Sequence, residues 1–449
     1  MDTLHRAAEK LLLNNVRRGA YSGNTRHPHL EEYVYVCPSP SVYPHQWLWD
    51  SCFHAIVMAR FDGELAKAEL ETIVSLGRSD GFIPHLTSWD GPTRVPGLGK
   101  VFHWLKGKLQ HANLTQPPVL AIALEEVYKH TGDRAFLERL LPSAKNYYRY
   151  LATHRDPDKD GLVSIIAPIE SGMDHSPAYD EILGLDRASA LGFHAANVRL
   201  TMKYALAGWD PAKILEADLF SVEDLAFNCI YASGLRSLAR LCEGIGDDDG
   251  AEFRALADRV ENAIIMRCYD PNEQVFYSVY SKDERKARVK TIASLMPLIL
   301  ENLSVDMVDR LVNVSLLDED SFWTPYPLPS VSAGEDEFCA SSNCLREPES
   351  MIEKLQHLFD KYQMVWRGPT WVNTNWFIAR GLRLHGHDEI ADQLTKKTAE
   401  MVLKAGFWEF YNPLTGEGLG APDFGWSTLV VDMLDCCVGE TKAVATVAG

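Results

Sequence analysis

Two short segments place carboxylates where acid–base chemistry is feasible. Ile169-Glu170-Ser171-Gly172-Met173-Asp174-His175-Ser176-Pro177 sets two acids among small and turn residues, and Trp408-Glu409-Phe410-Tyr411 encloses one acid in aromatic rings. Hydrolysis of a glycosidic bond needs two carboxyl groups flanking that bond. One of them must stay protonated near neutral pH, which apolar surroundings promote by disfavouring the charge. Spacing alone does not say which carboxyl does which job. A helix cap or an ion pair is the plainer reading of any single acid.

The 11 tryptophans are not distributed like core filler. They gather in Tyr43-Pro44-His45-Gln46-Trp47-Leu48-Trp49-Asp50, in Gly81–Leu86 followed by Trp89 and Asp90, in Trp366-Arg367-Gly368-Pro369-Thr370-Trp371 with Asn375 and Trp376 behind it, and in Phe407–Pro413 leading to Gly425-Trp426. Each segment puts rings beside a carboxylate, amide, histidine or arginine. Sugars offer apolar C–H faces to such rings and hydroxyls to such polar groups. Packing and helix capping account for part of the set.

These residues resemble a known family. QWLWDSCFHAI, DGFIPHL, TGDRAFLERLLPSAKNYYRYL followed by RDPDKDGLVSI, ESGMDHSP, WRGPTWVNTNWF and FYNPLTGEGLGAPDFGW are similar to glycoside hydrolase family 63, above all to its small single-domain members, the mannosylglycerate and glucosylglycerate hydrolases. The likeness runs from about Tyr43 to Trp426. It implies an all-α fold, an (α/α)6 toroid with long active-site loops, and cleavage of a hexosylglycerate with inversion and without metal or other cofactor. Carried over by motif, Asp174 is the expected general acid and Glu409 the general base. Glu417, in Thr415-Gly416-Glu417-Gly418, is the rival base, but its glycine neighbours supply no apolar shielding. Inversion would set the two carboxyls roughly 6.5–9.5 Å apart, and retention about 5 Å.

The same resemblance assigns the sugar ring to Trp47, Asp50, His85, Gln116 and Trp371, with Asp50 accepting from a pair of hydroxyls. Trp366 and Trp371 are expected to stack, and Trp426 to wall the pocket. The substrate is expected to be a small anionic sugar, so a local cation must meet its carboxylate. Arg94 and Arg367 are the candidates, with hydroxyls from Tyr43 and Tyr179. Two departures stand out: His175 replaces the Asn of many relatives, and Ser330–Glu349 has no counterpart. α-Glucosidases and trehalases share much of this motif set, so a small glucosyl disaccharide is the alternative substrate. A non-catalytic carbohydrate-binding toroid is the alternative outside enzymes.

The elements that must position these groups read as helices. Apolar residues recur at i, i+3 and i+4 over residues 222–242, and similar patterns cover 5–16, 50–61, 64–76, 117–130, 134–153, 189–206, 249–268, 289–300, 305–312, 350–362, 371–385, 387–404 and 427–438. Strand-like alternation is short, around Val34–Cys37, Leu162–Ile166 and Gln274–Tyr280. The pattern excludes a doubly wound sheet. No linker divides the chain, so residues 1–449 read as one catalytic domain with a lid-like insertion at 318–349. Asp156-Pro157-Asp158-Lys159-Asp160-Gly161 imitates the start of a calcium loop, but the twelfth position is Ala167 instead of Glu, which excludes an EF-hand. A tight inter-helix turn is the plainer reading, and a structural calcium the other.

With 44 basic and 62 acidic residues the formal charge is −18, which makes nucleic acid and anionic membranes poor partners. Met1–Val16 lacks the apolar block of a signal peptide, and no apolar run is long enough to span a bilayer. The nine cysteines form no disulfide framework or zinc spacing. A cytoplasmic protein is expected, and a homo-oligomer is compatible with the sequence.

Overall fold

A computed structural model describes residues 2–20, 32–89, 112–185, 189–341 and 364–437. Helix dominates. The helix Leu48–Met58 is buried at every position, its polar Asp50, Ser51 and His54 included. Gly63–Val74 packs against it, started by Asp62, whose side chain accepts the Leu65 N–H. The same inner–outer pairing recurs in Leu120–Thr131 with Arg134–His154, Leu225–Ile245 with Gly250–Ala263, and Val372–Leu384 with Asp388–Ala405. Glycine at positive φ ends two inner helices, Gly132 and Gly246, and lets the chain reverse.

The inner segments touch in sequence order. Leu48–Met58 packs on Leu120–Thr131, which packs on Leu225–Ile245, then Ile292–Ile299, then Val372–Leu384, then Gly425–Leu429, and this last returns to Leu48–Met58. Strands are short, and several of them are buried. The hairpin Val16–Ala20 with Glu32–Val36 contains part of the expected Val34–Cys37 alternation.

Several boundaries differ from the periodicity. Residues 289–300 hold a fully buried 3-10 segment, Ile292–Ile299, with Pro297 inside it. Proline lacks the N–H that an α-helix needs there. The 249–268 helix closes at Ala263 and continues as a π-turn over Ile264–Cys268. Leu162–Ile166 makes only an isolated bridge, Ile165 to Val222. The helix expected over 350–362 lies outside the described residues, as do Arg94 and the end of the 318–349 stretch. Its described part is seated in the core, with Phe322, Leu328 and Val331 buried. Cys37, Cys52, Cys229, Cys242 and Cys268 are buried thiols. Among the described residues no helix is long and apolar enough to cross a membrane.

Candidate active site

Glu409 is presented by an antiparallel hairpin, Trp408–Tyr411 with Gly418–Pro422, whose register shifts between Trp408 and Phe410. The extra residue falls in the second strand, where Gly420 takes φ +75°. That bulge brings the Ala421 N–H to Glu409 Oε2 at 2.9 Å, while the Tyr43 hydroxyl donates to Oε1 at 3.2 Å. A Cβ on residue 420 would lie 2.6 Å from Oε2, so the approach depends on glycine. Glu409 is 7% exposed. Burial pushes its carboxyl up to about 7, opposed by the Ala421 and Tyr43 hydrogen bonds and reinforced by the charge of Asp174. Glu417, by contrast, is exposed at the hairpin turn.

The other acidic motif separates its two carboxylates. Glu170 is completely buried and accepts both Arg155 Nη1 at 2.9 Å and Nη2 at 2.7 Å, together with the Thr115 and Ile166 N–H groups. It is a structural anchor. The chain then turns at Gly172, φ +72°, where a Cβ would come within 2.4 Å of the Trp49 ring. Past that turn Asp174 keeps 31% of its side chain exposed, beside His175 at 4.0 Å. His175 Nδ1 accepts the Val365 N–H, and burial holds its imidazole below the ordinary value.

Asp50 lies in the first turn of Leu48–Met58 and is buried. Burial, and then the charge of Glu409, raise its carboxyl well above the usual range. Tyr43 is raised by burial and by Glu409, Asp174 and Asp50 together. These shared influences put Tyr43, Asp50, Asp174 and Glu409 in one electrostatic neighbourhood.

The aromatic residues form its wall. Trp366 stacks on Trp371 with centroids 3.7 Å apart and planes 2° apart, and Phe410 covers Trp371 at 4.6 Å. Trp49 and Trp426 meet edge to face at 5.5 Å, and Trp426 Nε1 donates to the Glu409 carbonyl. Trp47 is half-buried, against Tyr43 on one side and His85 on another. Gln116 Oε1 accepts the Trp49 N–H, and His85 Nδ1 sits 3.0 Å from the Leu114 carbonyl oxygen. The indole N–H groups of Trp47 and Trp371 are buried without a hydrogen-bond partner. Such donors are rarely left so.

Three sequence expectations need correction. Trp371 is sandwiched between Trp366 and Phe410, so its N–H, not its face, is what it can offer a ligand. Arg367 is buried and its Nη2 is committed to Asp180, so its charge is already matched. Tyr179 is buried and its hydroxyl donates to Asp224 Oδ2 at 2.7 Å. Arg94 lies outside the described residues. Residue-type reasoning missed the Ala421 N–H and the Arg155–Glu170 pair. A main-chain donor has no side-chain signature, although the Gly-x-Gly of Gly418–Gly420 marks an irregular strand. Arg155 carries no local cue to its partner.

Known proteins resemble this chain over most of its length. A family model described as the mannosylglycerate hydrolase MGH1-like glycoside hydrolase domain matches residues 43–427. A mannosylglycerate hydrolase of Thermus thermophilus is 29% identical over 88% of this chain and 95% of its own length. A glucosylglycerate hydrolase of Mycolicibacterium hassiacum is 25% identical over 88% of this chain and 92% of its own. The crystal structure of a family 63 mannosylglycerate hydrolase from Thermus thermophilus in complex with Tris superposes with a TM-score of 0.79 at 27% identity, covering 96% of this chain and 99% of that one. The motifs lie inside the matched span, and the chain belongs to the mannosylglycerate hydrolase MGH1-like family of glycoside hydrolases.

Proposed function

We propose that this enzyme hydrolyses mannosylglycerate, glucosylglycerate or both to hexose and glycerate, with inversion at the anomeric carbon. The observation that carries the reading is the convergence of Asp174 and Glu409 from distant motifs, close enough for the charge of one to shift the other. Asp174 gives its proton to the glycosidic oxygen as the bond to the anomeric carbon breaks. Glu409 takes a proton from the water that attacks the opposite face. Tyr43 and the Ala421 N–H favour the ionised form of Glu409, which a base requires. Asp50, His85 and Gln116 hold ring hydroxyls, and the indole N–H groups of Trp47 and Trp371 donate to the sugar. Trp366 and Trp426 back that wall. With Arg367 paired to Asp180, Arg94 is the other of the two candidate cations for the glycerate carboxylate.

The cyclic order of inner helices supports an (α/α)6 toroid, a single domain built over the whole chain. We place the enzyme in the cytoplasm. The raised carboxyl of Glu409 favours a second assignment of roles, with Glu409 as acid and Asp174 as base. A substrate panel of both hexosylglycerates and of trehalose, with the product anomer followed by NMR, tests the proposal. Turnover of a neutral disaccharide without turnover of either glycerate compound would sink it.

A further inference from the structure

His175 follows Asp174 directly and meets three parts of the chain, with a side chain only 16% exposed. Within its own turn, Nδ1 lies 4.0 Å from Asp174 Oδ2, too far for a hydrogen bond. From the segment Met364–Gly368, the Val365 N–H donates to the same nitrogen at 3.3 Å. From helix Ala190–Leu206, the Phe193 ring meets the imidazole edge to face, with centroids 4.4 Å apart. A ring nitrogen that accepts carries no proton, so the imidazole is neutral and its proton sits on Nε2. The charged or titratable groups that face it are Asp174 from its own turn, Arg367 from the segment holding Val365, and His194 from the helix. Burial disfavours the imidazolium, Asp174 opposes that, and Arg367 and His194 add to it.

A second link runs beside the first. Arg367 reaches from the same segment to Asp180, six residues beyond Asp174. Between Val365 and Arg367 stands Trp366, at φ +64° and stacked on Trp371. His175 and Arg367 therefore clasp the segment that carries Asp174 to the tryptophan wall. The guanidinium keeps its charge throughout the working pH range, whereas an imidazole titrates within it.

We propose that His175 is a positioning residue for Asp174: neutral, it clasps the acid's turn to Val365, and protonated, it releases Val365 and pairs with the Asp174 carboxylate. The inference rests on Asp174 as general acid. A proton on Nδ1 faces the Val365 N–H donor to donor, so that hydrogen bond is lost. Asp174 Oδ2 is the neighbouring acceptor, and a cation beside it favours the ionised carboxylate. An ionised Asp174 has no proton to give the glycosidic oxygen. Acidification therefore removes the acid through His175, besides removing the base by protonating Glu409.

The test compares pH profiles of kcat/KM for the native chain and His175→Asn. Asn accepts the Val365 N–H through its amide oxygen and has no proton to gain. At the acidic end the native profile should fall by about two powers of ten per pH unit, and that of His175→Asn by about one. His175→Leu loses the acceptor altogether. Its kcat at alkaline pH should drop about 10–100-fold, with most of that loss recovered in His175→Asn. A glycosyl fluoride needs little protonation of its leaving group, so His175→Leu should hydrolyse it nearly as fast as the native chain. A merely structural role would lower both substrates alike. The profiles use whichever glycoside the substrate panel shows to be turned over, so failure of the hexosylglycerate reading leaves this test intact. The slope comparison needs only the native chain and His175→Asn, and so does not depend on the folding of His175→Leu. Equal acidic slopes in those two proteins, or equal losses on glycoside and fluoride in His175→Leu, would overturn the proposal.

Discussion

Replacing Tyr43 by phenylalanine should move the pH dependence of catalysis without dismantling the site. The ring contacts of Tyr43 with Trp47 and Phe424 survive in Phe, and only the hydroxyl that donates to Glu409 Oε1 at 3.2 Å is lost. A hydrogen bond to a charged group is worth about 1.5–3 kcal/mol, and this one is long, so the lower figure applies. One pKa unit corresponds to about 1.4 kcal/mol, so the Glu409 carboxyl should rise by about one unit from its native value near 7. A general base must be ionised, and the bond favoured the ionised form. The acidic limb of kcat/KM, which reports the free enzyme, should therefore shift up by about one pH unit. At pH 7 the ionised fraction falls from about one half to about one tenth, a loss of about fivefold, whereas at pH 9 the two enzymes should nearly coincide. Profiles of kcat/KM from pH 5 to 10 on the preferred hexosylglycerate decide the matter. A loss of activity that is the same at every pH would refute the base assignment. Movement of the alkaline limb instead would show that Glu409 serves as the acid.

Further outcomes follow from the same geometry. Asp174→Asn should lower kcat by about 10²–10⁴ with unchanged Tm, because the side chain is partly exposed. A glycosyl fluoride needs little protonation of its leaving group, so Asp174→Asn should retain its hydrolysis and Glu409→Gln should not; the reverse pattern exchanges the roles. Gly420→Ala forces φ +75° on an alanine and sets its Cβ against Glu409 Oε2, so both stability, by about 1–3 kcal/mol, and activity should fall in urea melts and rate assays. Glu170→Gln strips a buried partner from Arg155 and should cost about 3–5 kcal/mol in the same melts, although neither residue touches substrate. His54 is fully buried and its imidazole is held down at about 3 against an ordinary 6.5, so the unfolded chain binds the proton more readily. The stability from this group is complete above pH 6.5 and is lost as pH falls from 6.5 toward 3. Tm measured from about pH 7 to about pH 5 should drop more steeply in the native chain than in His54→Gln, and equal slopes would dismiss the effect.

What the sequence made legible follows from where chemistry sits on this scaffold. Trp47 and Trp371 directly precede inner helices, Asp50 lies in the first turn of one, and Phe424 directly precedes the segment that holds Trp426. The site lies where several inner segments begin. Those beginnings meet: the Trp49 N–H reaches Gln116, Trp426 packs on Trp49 and Trp371, and Phe410 of the hairpin covers Trp371. Aromatic and ionisable residues just ahead of an apolar stripe are therefore visible as motifs even when nothing is known of tertiary contacts. What fixes their energies is long-range and has no motif. The Glu409 carboxyl owes its elevation to burial under a bulged hairpin, and its polar support to Tyr43 at the other end of the chain and to a main-chain N–H. Arg367 looked free as a letter in a string; only the fold shows that Asp180 already holds it. In a chain of net charge −18, the cation that meets an anionic aglycone must be one the protein has not already committed inside its own walls. Of the two candidates that leaves Arg94, and Arg94→Ala is the informative change: KM for a hexosylglycerate should rise at least tenfold while turnover of a neutral glycoside stays level. Equal losses on both substrates would return the clamp to another residue.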